Sequence, residues 1–201
     1  MDNPVSRIAE PIARWTAIVC GWAVLLYSFA VAYEILGRKL FGFSFQGIDD
    51  IGGYVLAITA AAGASFTMAM RGHTRIDVFL VRMSSTWQRV LNTVAMVTMA
   101  LFAGYAAWRG YSVLGESIEF QSVATNPRQT PLWQPQVLWL AGLMLFASIS
   151  LGYALHALVL LVRGSSELNR QYGPASAQDE LEAELTARAE RDAQASMGAK
   201  P

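Results

Sequence analysis

The chain of 201 residues combines a formal net charge of zero with an unusually apolar composition. Hydrophobic residues make up 54% of it and charged residues 15%, whereas soluble chains carry about 25% charged residues. This composition excludes a disordered chain, because there is ample apolar surface to bury, and the single cysteine excludes an intramolecular disulfide framework. The balance of 15 basic and 15 acidic side chains argues against a nucleic-acid-binding protein.

The net charge of zero is the sum of two regions with opposite net charge. Residues 1–163 carry 11 Lys and Arg against 8 Asp and Glu, a net charge of +3. Residues 164–201 carry 4 Lys and Arg against 7 Asp and Glu, a net charge of −3. The chain is therefore a weakly basic, apolar body followed by an acidic tail.

Four long stretches without charged residues divide the body. They are Trp15–Tyr33, Ile51–Met70, Val90–Trp108 and Gln129–Val162. About 20 apolar residues cross the ~30 Å hydrocarbon core as a helix, and lipid offers free backbone groups no other partner. We therefore predict an all-α integral membrane protein with a four-helix membrane domain over residues 15–163. The predicted spans are 15–36, 51–70, 90–108 and 136–162, flanked by an amino-terminal segment 1–14 and a tail 164–201.

The basic residues of the flanks predict the orientation of these spans. One side of the membrane would hold Arg7, Arg14, Arg71, Arg75, Arg82, Arg89, Arg163 and Arg170. The other side would hold Arg38, Lys39, Arg109 and Arg128. Because basic flanks favour the cytoplasm, we expect both termini there. Ala30-Val31-Ala32 offers the alternative of a cleaved signal peptide, but the preceding apolar run is too long and too aromatic for one.

The connection between the second and third spans is predicted to contain a short interfacial helix. Thr74 and Asp77 have the spacing of a capping box at a helix start. Apolar residues then recur at steps of three or four, at Ile76, Phe79, Leu80, Met83 and Trp87. Such a helix would lie in the membrane interface or pack against another subunit.

Small residues recur every four positions along the second span. They are Gly53, Ala57, Ala61, Ser65 and Ala69. Such a ladder lets two helix backbones approach closely in lipid, so we expect it to pack against a helix of this chain or of another protein. Asp49 and Asp50 stand where this span begins, where they either cap free amides or contact a partner.

The last connection and the tail carry weaker signals. Tyr111, Leu114 and Ile118 continue the apolar stripe of the third span, which predicts that its helix projects beyond the membrane. The dipeptide Asn126-Pro127 ends any such helix. Beyond Gly164 we expect a solvated tail, partly helical or disordered, with a docking helix over about 178–195 as the alternative.

Few residues have side chains that could act in catalysis or bind an ion, a metal or a cofactor, and they are scattered along the chain. Glu34 is the acidic residue within an apolar run, and Arg38 four positions later favours a local ion pair over a proton or ion site. His73 and His156 at similar predicted depths leave haem ligation open as an alternative. The sequence has no nucleotide-binding loop, no nucleophile elbow and no Cys/His cluster with zinc spacing, so we expect neither an enzyme nor a metal or cofactor site.

Three groups of residues give the chain a family resemblance. They are Gly37-Arg38-Lys39-Leu40-Phe41-Gly42-Phe43-Ser44, then Asp49-Asp50 with Tyr54, then Gly72-His73-Thr74-Arg75-Ile76-Asp77. Together with Pro131-Leu132-Trp133 at the start of the last span, they resemble the small membrane (DctQ-like) subunit of tripartite ATP-independent periplasmic (TRAP) transporters. The resemblance covers about residues 10–165. The family often has a tryptophan and paired glutamates before the second span, where this chain has Gln46-Gly47 and Asp49-Asp50.

The resemblance implies a role and a set of partners. Such subunits scaffold a large multi-span permease subunit in the bacterial inner membrane and help dock a periplasmic solute-binding protein. Uptake, usually of an organic acid, is then driven by ion gradients. By this analogy the side facing the binding protein carries Arg38, Asp49, Asp50, Glu116, Glu119 and Trp133. The cytoplasmic side would carry His73, Arg75 and Asp77. We interpret these residues as structural or partner-contacting rather than catalytic.

Two other functions compete with a transporter subunit. One is a haem-binding membrane anchor, and the other is a membrane sensor or assembly factor that docks through its acidic tail. A Soret band would mark the former, and loss of function on deletion of residues 167–201 would mark the latter.

Overall fold

The computed structural model describes residues 3–42, 47–70, 80, 82–124, 129–165, 167–173, 185, 186, 188 and 191. Its helices are α1 (Pro4–Phe41), α2 (Ile48–Ala69), α3 (Ser85–Glu119), α4 (Trp133–Val162) and α5 (Glu167–Tyr172). The first four are long and apolar enough to cross a membrane. The prediction of an all-α protein with four membrane helices is thereby confirmed for the described residues, whereas the sidedness of the termini stays a prediction.

Helix α1 begins well before the first charge-free stretch. The side-chain oxygen of Asn3 accepts a hydrogen bond of 3.0 Å from the amide of Val5, and Pro4 occupies the first turn, where its missing N–H costs nothing. The helix ends at Gly42, whose φ of 70° is the left-handed conformation that suits glycine. At about 1.5 Å per residue, its 38 residues span about 57 Å, far more than a bilayer core requires.

The four long helices pack side by side as an up-and-down bundle. Tyr27 of α1 lies against Gly52 at the start of α2. Ala9 and Ala13 near the start of α1 share a buried cluster with Met68 and Ala69 at the end of α2, so these two helices run antiparallel. A Cβ placed on Gly110 of α3 would meet side-chain atoms of Leu140 and Leu143 in α4 at 3.2 and 3.0 Å. Small residues therefore mark the places where neighbouring helices approach most closely.

Helix α4 lies at the centre of this arrangement. A Cβ on its Gly142 would stand 3.0 Å from the backbone nitrogen of Ala62 in α2, and one on Gly152 would stand 3.2 Å from Val5 of α1. The buried core is built around α4, from Phe146, Ile149, Tyr153, Ala154, Ala157 and Leu160. Helices α2 and α3 pack along it, whereas α1 packs chiefly against α2.

The described parts of the connection from α3 to α4, residues 120–124 and 129–132, pair with each other before α4 begins. Helix α3 continues through Tyr111 and Ile118 to Glu119, as the apolar stripe predicted. The amide of Ala124 donates to the carbonyl of Thr130 at 2.9 Å, and the amide of Leu132 donates to the carbonyl of Ser122 at 3.0 Å. These bonds flank an antiparallel bridge between Val123 and Pro131 and return the chain directly into α4.

The connection from α2 to α3 is described in part. Residues 71–79 and 81 lie outside the described residues, and with them the capping pair Thr74 and Asp77 of the predicted interfacial helix. Trp87 lies within the first turn of α3, where 59% of its surface is exposed.

Candidate functional site

Candidate functional residues collect at the two ends of the bundle. The loop end is formed by the last turns of α1 and α3 and the first turns of α2 and α4. The termini end is formed by Asn3, the first turns of α3, the last turns of α4 and the short helix α5.

An ion pair within α1 holds the acidic residue of the first span at the loop end. Glu34 is 2% exposed, and its Oε1 accepts hydrogen bonds from the Nη2 and, at 3.1 Å, the Nε of Arg38. The Arg38 side chain is 59% exposed, so its far side reaches solvent or headgroups while its donors cover the carboxylate. Burying a carboxylate is costly unless it is paired and hydrogen-bonded. The local ion pair expected from the i,i+4 spacing is therefore present.

Further exposed charges of both signs lie toward the carboxyl ends of α1 and α3. Lys39 and Arg109 are exposed, and so are Glu116 and Glu119 near the end of α3. A surface with both signs of charge can complement a partner with a matching pattern.

The other predicted contact residues of the loop end lie where the helices begin. Asp49 and Asp50 lie in the first turn of α2, after an N-cap at Gly47 with a φ of 89°. Pro131 takes part in the bridge to Val123, and Trp133 is the first residue of α4, with 44% of its surface exposed. The roles predicted for these residues stay predictions. The remaining motif residues, His73, Arg75 and Asp77, lie outside the described residues.

The small-residue ladder of α2 divides into two halves. Ala61, Ser65 and Ala69 are buried in the bundle, where Ala61 lies against Gly142 of α4. Gly53 and Ala57 are exposed, and a Cβ on Gly53 would meet nothing within 4 Å. The half of the ladder nearer the termini end thus packs within this chain, whereas the half nearer the loop end presents a smooth outer face.

Side-chain hydrogen bonds tie α1, α4 and α5 together at the termini end. The hydroxyl of Tyr172 in α5 accepts from the Nδ2 of Asn3 at 3.0 Å and lies 2.8 Å from the Nδ1 of His156 in α4. Asn3 and Tyr172 are 2% and 4% exposed. Because buried polar groups are costly unless paired, this cluster fixes the start of α1 against the end of α4.

A second set of hydrogen bonds joins α5 to α3. The Nδ2 of Asn169 donates to the backbone oxygen of Ser85 at 3.0 Å, and its Oδ1 accepts from Asn92 at 3.4 Å. The Nη1 of Arg89 donates to the carbonyl of Gly164 at 2.7 Å. Leu168 of α5 is fully buried below these bonds. We call residues 164, 165 and 167–173 the strap, because their contacts join the ends of α3 and α4 to Asn3.

Local capping signals for the strap are present in the sequence, although the polar composition of the tail suggests a solvated segment. Gly164 has a φ of 64°, and the amides of Gly164 and Ser165 donate to the carbonyls of Leu161 and Leu160, which is a Schellman motif. The hydroxyl of Ser165 then accepts from the amide of Glu167 at the start of α5. A glycine followed by a serine cap and by apolar residues four apart is a stop-and-restart signal.

Two buried serine hydroxyls differ from the other Ser and Thr hydroxyls described in the long helices, because they make no hydrogen bond to the backbone. Six hydroxyls of the long helices donate to the carbonyl four residues earlier: Thr16, Ser28, Thr67, Thr93, Ser112 and Ser148. Ser65 of α2 and Ser150 of α4 are fully buried and make no such bond. Their small size lets α2 and α4 pack closely.

Two titratable side chains of the long helices are each held by a neighbouring side chain. Within the described ranges, no group of three or more His, Cys, Asp and Glu side chains is placed to hold a metal ion. The Nδ1 of His156 is engaged by Tyr172, and the carboxylate of Glu34 is engaged by Arg38.

Comparison with known proteins identifies one family. The sequence model of the family described as "Tripartite ATP-independent periplasmic transporters, DctQ component" matches residues 27–163. The match covers about two thirds of the chain, including α2, α3, α4 and the part of α1 from Tyr27 onward. No curated protein and no solved structure matches the chain. The first half of α1 and the strap helix α5 lie outside the matched residues.

Proposed function

The chain belongs to the DctQ component family of tripartite ATP-independent periplasmic transporters, and we propose that it scaffolds the large membrane subunit of such a transporter. In this role it would also help dock a periplasmic solute-binding protein. The transporter would take up an organic acid, driven by an ion gradient across the bacterial inner membrane.

One observation carries this proposal. The most apolar stretch of α1 is long enough to cross a membrane, yet only 6% of it is buried inside the bundle. An apolar face of this length, combined with engaged polar groups at Glu34 and His156, suits a protein that packs against another membrane protein.

The proposed orientation places the termini end in the cytoplasm. The strap and the flanks near it carry Arg89, Arg163 and Arg170, consistent with the preference of basic residues for that side. The loop end would then face the periplasm and offer its mixed charges, among them Arg38 and Glu116, to the binding protein.

Co-purification from native membranes tests the proposal. We expect the affinity-tagged chain, extracted in mild detergent, to carry the large permease subunit in a fixed ratio, identified by mass spectrometry. Reconstituted together with the binding protein, the complex should accumulate solute when an ion gradient is imposed and lose that activity when the gradient is collapsed. A chain that repeatedly emerges alone would overturn the proposal.

Charge reversal at the loop end tests the docking role separately. The double variant Glu116→Lys and Glu119→Lys should lower solute uptake while leaving the amount of co-purified large subunit unchanged. The matched control reverses charge at the opposite end, at Arg163 and Arg170. Equal loss of uptake from both ends would contradict a docking role for the loop end.

A further inference from the structure

Three arginines at the termini end come from separate segments and meet beside the first turn of α3. Arg82 lies in the turn before α3, Arg89 lies within α3, and Arg163 is the C-cap residue of α4. Because Arg163 stands far from the other two in the sequence, it is the folded chain that brings the three together. We call them the arginine cluster.

Hydrogen bonds fix the side chain of Arg89 beside the end of α4. Its Nη1 donates to the carbonyl of Gly164 at 2.7 Å, and Gly164 directly follows Arg163. Its Nη2 donates to the hydroxyl of Thr86 at 3.2 Å. The start of α3 and the end of α4 are thereby joined at the point where Arg163 is exposed.

A second pair of hydrogen bonds brings Arg82 to the same place. The Nε2 of Gln88, the neighbour of Arg89, donates to the carbonyl of Leu80 at 3.1 Å and to that of Met83 at 3.0 Å. Arg82 stands between these two carbonyls in the chain, and it is exposed. The turn that carries Arg82 is therefore folded against the first turn of α3.

The cluster lies at the level of the lipid headgroups. Arg89 directly precedes the charge-free stretch Val90–Trp108, and Arg163 directly follows the charge-free stretch Gln129–Val162. Trp87, which is 59% exposed, stands two residues before Arg89, as is typical of an aromatic residue at a membrane interface. Because a hydrogen bond joins the two helix ends, both arginines lie at the same face of the membrane.

Acidic side chains do not balance the cluster within the part of the chain that the structure describes. The nearest described acid along the chain is Glu167, and it pairs with Arg170 at 3.0 Å. Arg82 and Arg163 form no ion pair with a described residue. Since like charges brought together repel one another, the arrangement favours an anion beside them.

The basic residues of the loop end are arranged differently, although two of them also stand at a membrane boundary. Lys39 lies near the end of α1, and Arg109 directly follows the charge-free stretch of α3. Among the described residues α1 does not pack along α3, so these two cations do not converge. The preference of basic flanks for one side of the membrane requires cations in the flanks but not their convergence. That preference therefore does not explain the arginine cluster.

We propose that the arginine cluster binds the phosphate group of an anionic phospholipid, whether or not the proposed function holds. The exposed guanidinium groups of Arg82 and Arg163 donate to the phosphate oxygens, as arginine does in phosphate recognition. Arg89 holds the end of α4 in position and adds its charge. The acyl chains lie in the hydrocarbon beside Val162, which is 87% exposed. A soluble phosphate ion offers the same oxygens, but the position of the cluster at headgroup level favours the lipid.

Lipid titration of the full chain in detergent tests this assignment. The probes are anionic phosphatidylglycerol and zwitterionic phosphatidylcholine, and native mass spectrometry counts the bound lipid. The test variant is Arg82→Gln with Arg163→Gln. The matched control is Lys39→Gln with Arg109→Gln, which also removes two exposed cations at a membrane boundary.

We expect the parent chain to bind phosphatidylglycerol more tightly than phosphatidylcholine. The test variant should bind phosphatidylglycerol about tenfold more weakly, because each arginine near the membrane surface adds to the attraction. The control should bind it as the parent does. Equal binding of the two lipids to the parent, unchanged binding by the test variant, or equal losses in both variants would overturn the inference. Displacement of the lipid by millimolar inorganic phosphate would also overturn it, because the cluster would then recognise a free anion.

Thermal unfolding separates lipid binding from folding. Without added lipid, both double variants should melt at the temperature of the parent, because the exchanged side chains are exposed. Added phosphatidylglycerol should raise the melting temperature of the parent and the control, whereas the test variant should gain no more than it gains from phosphatidylcholine. If the test variant melts lower without lipid, Arg82→Gln and Arg163→Gln are compared singly. Each should then bind phosphatidylglycerol more weakly than the parent, and unchanged binding by both would contradict the proposal.

Discussion

Helices α4 and α1 are both long and apolar, yet they hold opposite positions in the bundle. In α4, 39% of the most apolar stretch is buried, against 6% in α1. The buried side of α4 combines small residues, such as Gly142, Ser150 and Ala157, with large ones, such as Phe146 and Tyr153. The outer side of α1 carries Trp22 and Phe29. Lipid tails are as apolar as leucine, so hydrophobicity alone brings neither helix to the centre. Small residues at the points of closest approach, such as Gly142 against the backbone of Ala62, let α4 pack tightly against its neighbours.

The attachments of the two helices differ in kind as well. Helix α4 contacts α2 and α3 through close backbone approach along its length. The described contacts of α1 include Tyr27 against Gly52, Val5 near Gly152, and the hydrogen bond from Asn3 to Tyr172. Helix α1 packs along α2 as extensively as α4 does, and it differs from α4 in the polar contacts at its ends. The packing of α4 should therefore be sensitive to volume, and the ends of α1 to the loss of individual polar groups.

The largest expected effect is at the closest approach of α4. Gly142→Leu should lower the free energy of unfolding in detergent micelles by about 3 kcal/mol. The new side chain would clash with the backbone of Ala62, and the clash can be relieved only by shifting α2 away from α4. The matched control is Gly104→Leu on α3, where a Cβ meets nothing within 4 Å. Unfolding by titration with a denaturing detergent measures both. Equal losses would show that close approach is not what holds α4 in place.

The next effect is expected at the ion pair of α1. Arg38→Ala should lower the free energy of unfolding by about 2 kcal/mol, because it removes the donors that hydrogen-bond to the buried Glu34 carboxylate. The exposure of Arg38 keeps this below the cost of breaking a fully buried pair. Lys39→Ala, one position later and exposed, should change the free energy of unfolding by less than about 0.5 kcal/mol. If the free energy of unfolding falls equally in both variants, the pairing of Arg38 with Glu34 does not specifically stabilise the fold.

A smaller and more local effect is expected where α1 meets the strap. Tyr172→Phe removes the hydroxyl shared by Asn3 and His156, and should cost about 1 kcal/mol. Amide hydrogen exchange should accelerate in the first turns of α1 while the amides of α4 around Gly142 keep their protection. Tyr111→Phe is the control, since that ring is 69% exposed. Faster exchange throughout both helices would contradict a local role.

The sequence predicts the number of membrane helices because lipid imposes a length and a composition on each. It predicts their ends less well. The first predicted span begins at residue 15, whereas α1 begins at Pro4, because Arg7, Glu10 and Arg14 mark the edge of the apolar core and not the edge of the helix. Charge locates the membrane boundary, and capping locates the helix boundary.

The sequence predicts the ion pair of the candidate site but not the contacts of the strap, because the first is local in sequence and the second are not. Glu34 and Arg38 are four residues apart on one helix, so their spacing is a local signal. Asn3 and Tyr172 are 169 positions apart, and their hydrogen bond depends on how α1, α4 and α5 come together. Patterns along a sequence report local geometry, and contacts between distant segments leave no such pattern in a single sequence.

The smallest expected effect separates the two kinds of polar contact within the strap. Arg170 pairs with Glu167 at 3.0 Å, but the two side chains are 62% and 51% exposed, so Arg170→Gln should change the free energy of unfolding by less than about 0.5 kcal/mol. Arg89→Gln, by contrast, removes the 2.7 Å bond to the carbonyl of Gly164 and should cost about 1 kcal/mol. Both variants replace one arginine at the same end of the bundle, so the change in net charge is identical. A larger loss from Arg170→Gln would mean that surface charge, rather than the hydrogen bond between α3 and the strap, holds that end of α4.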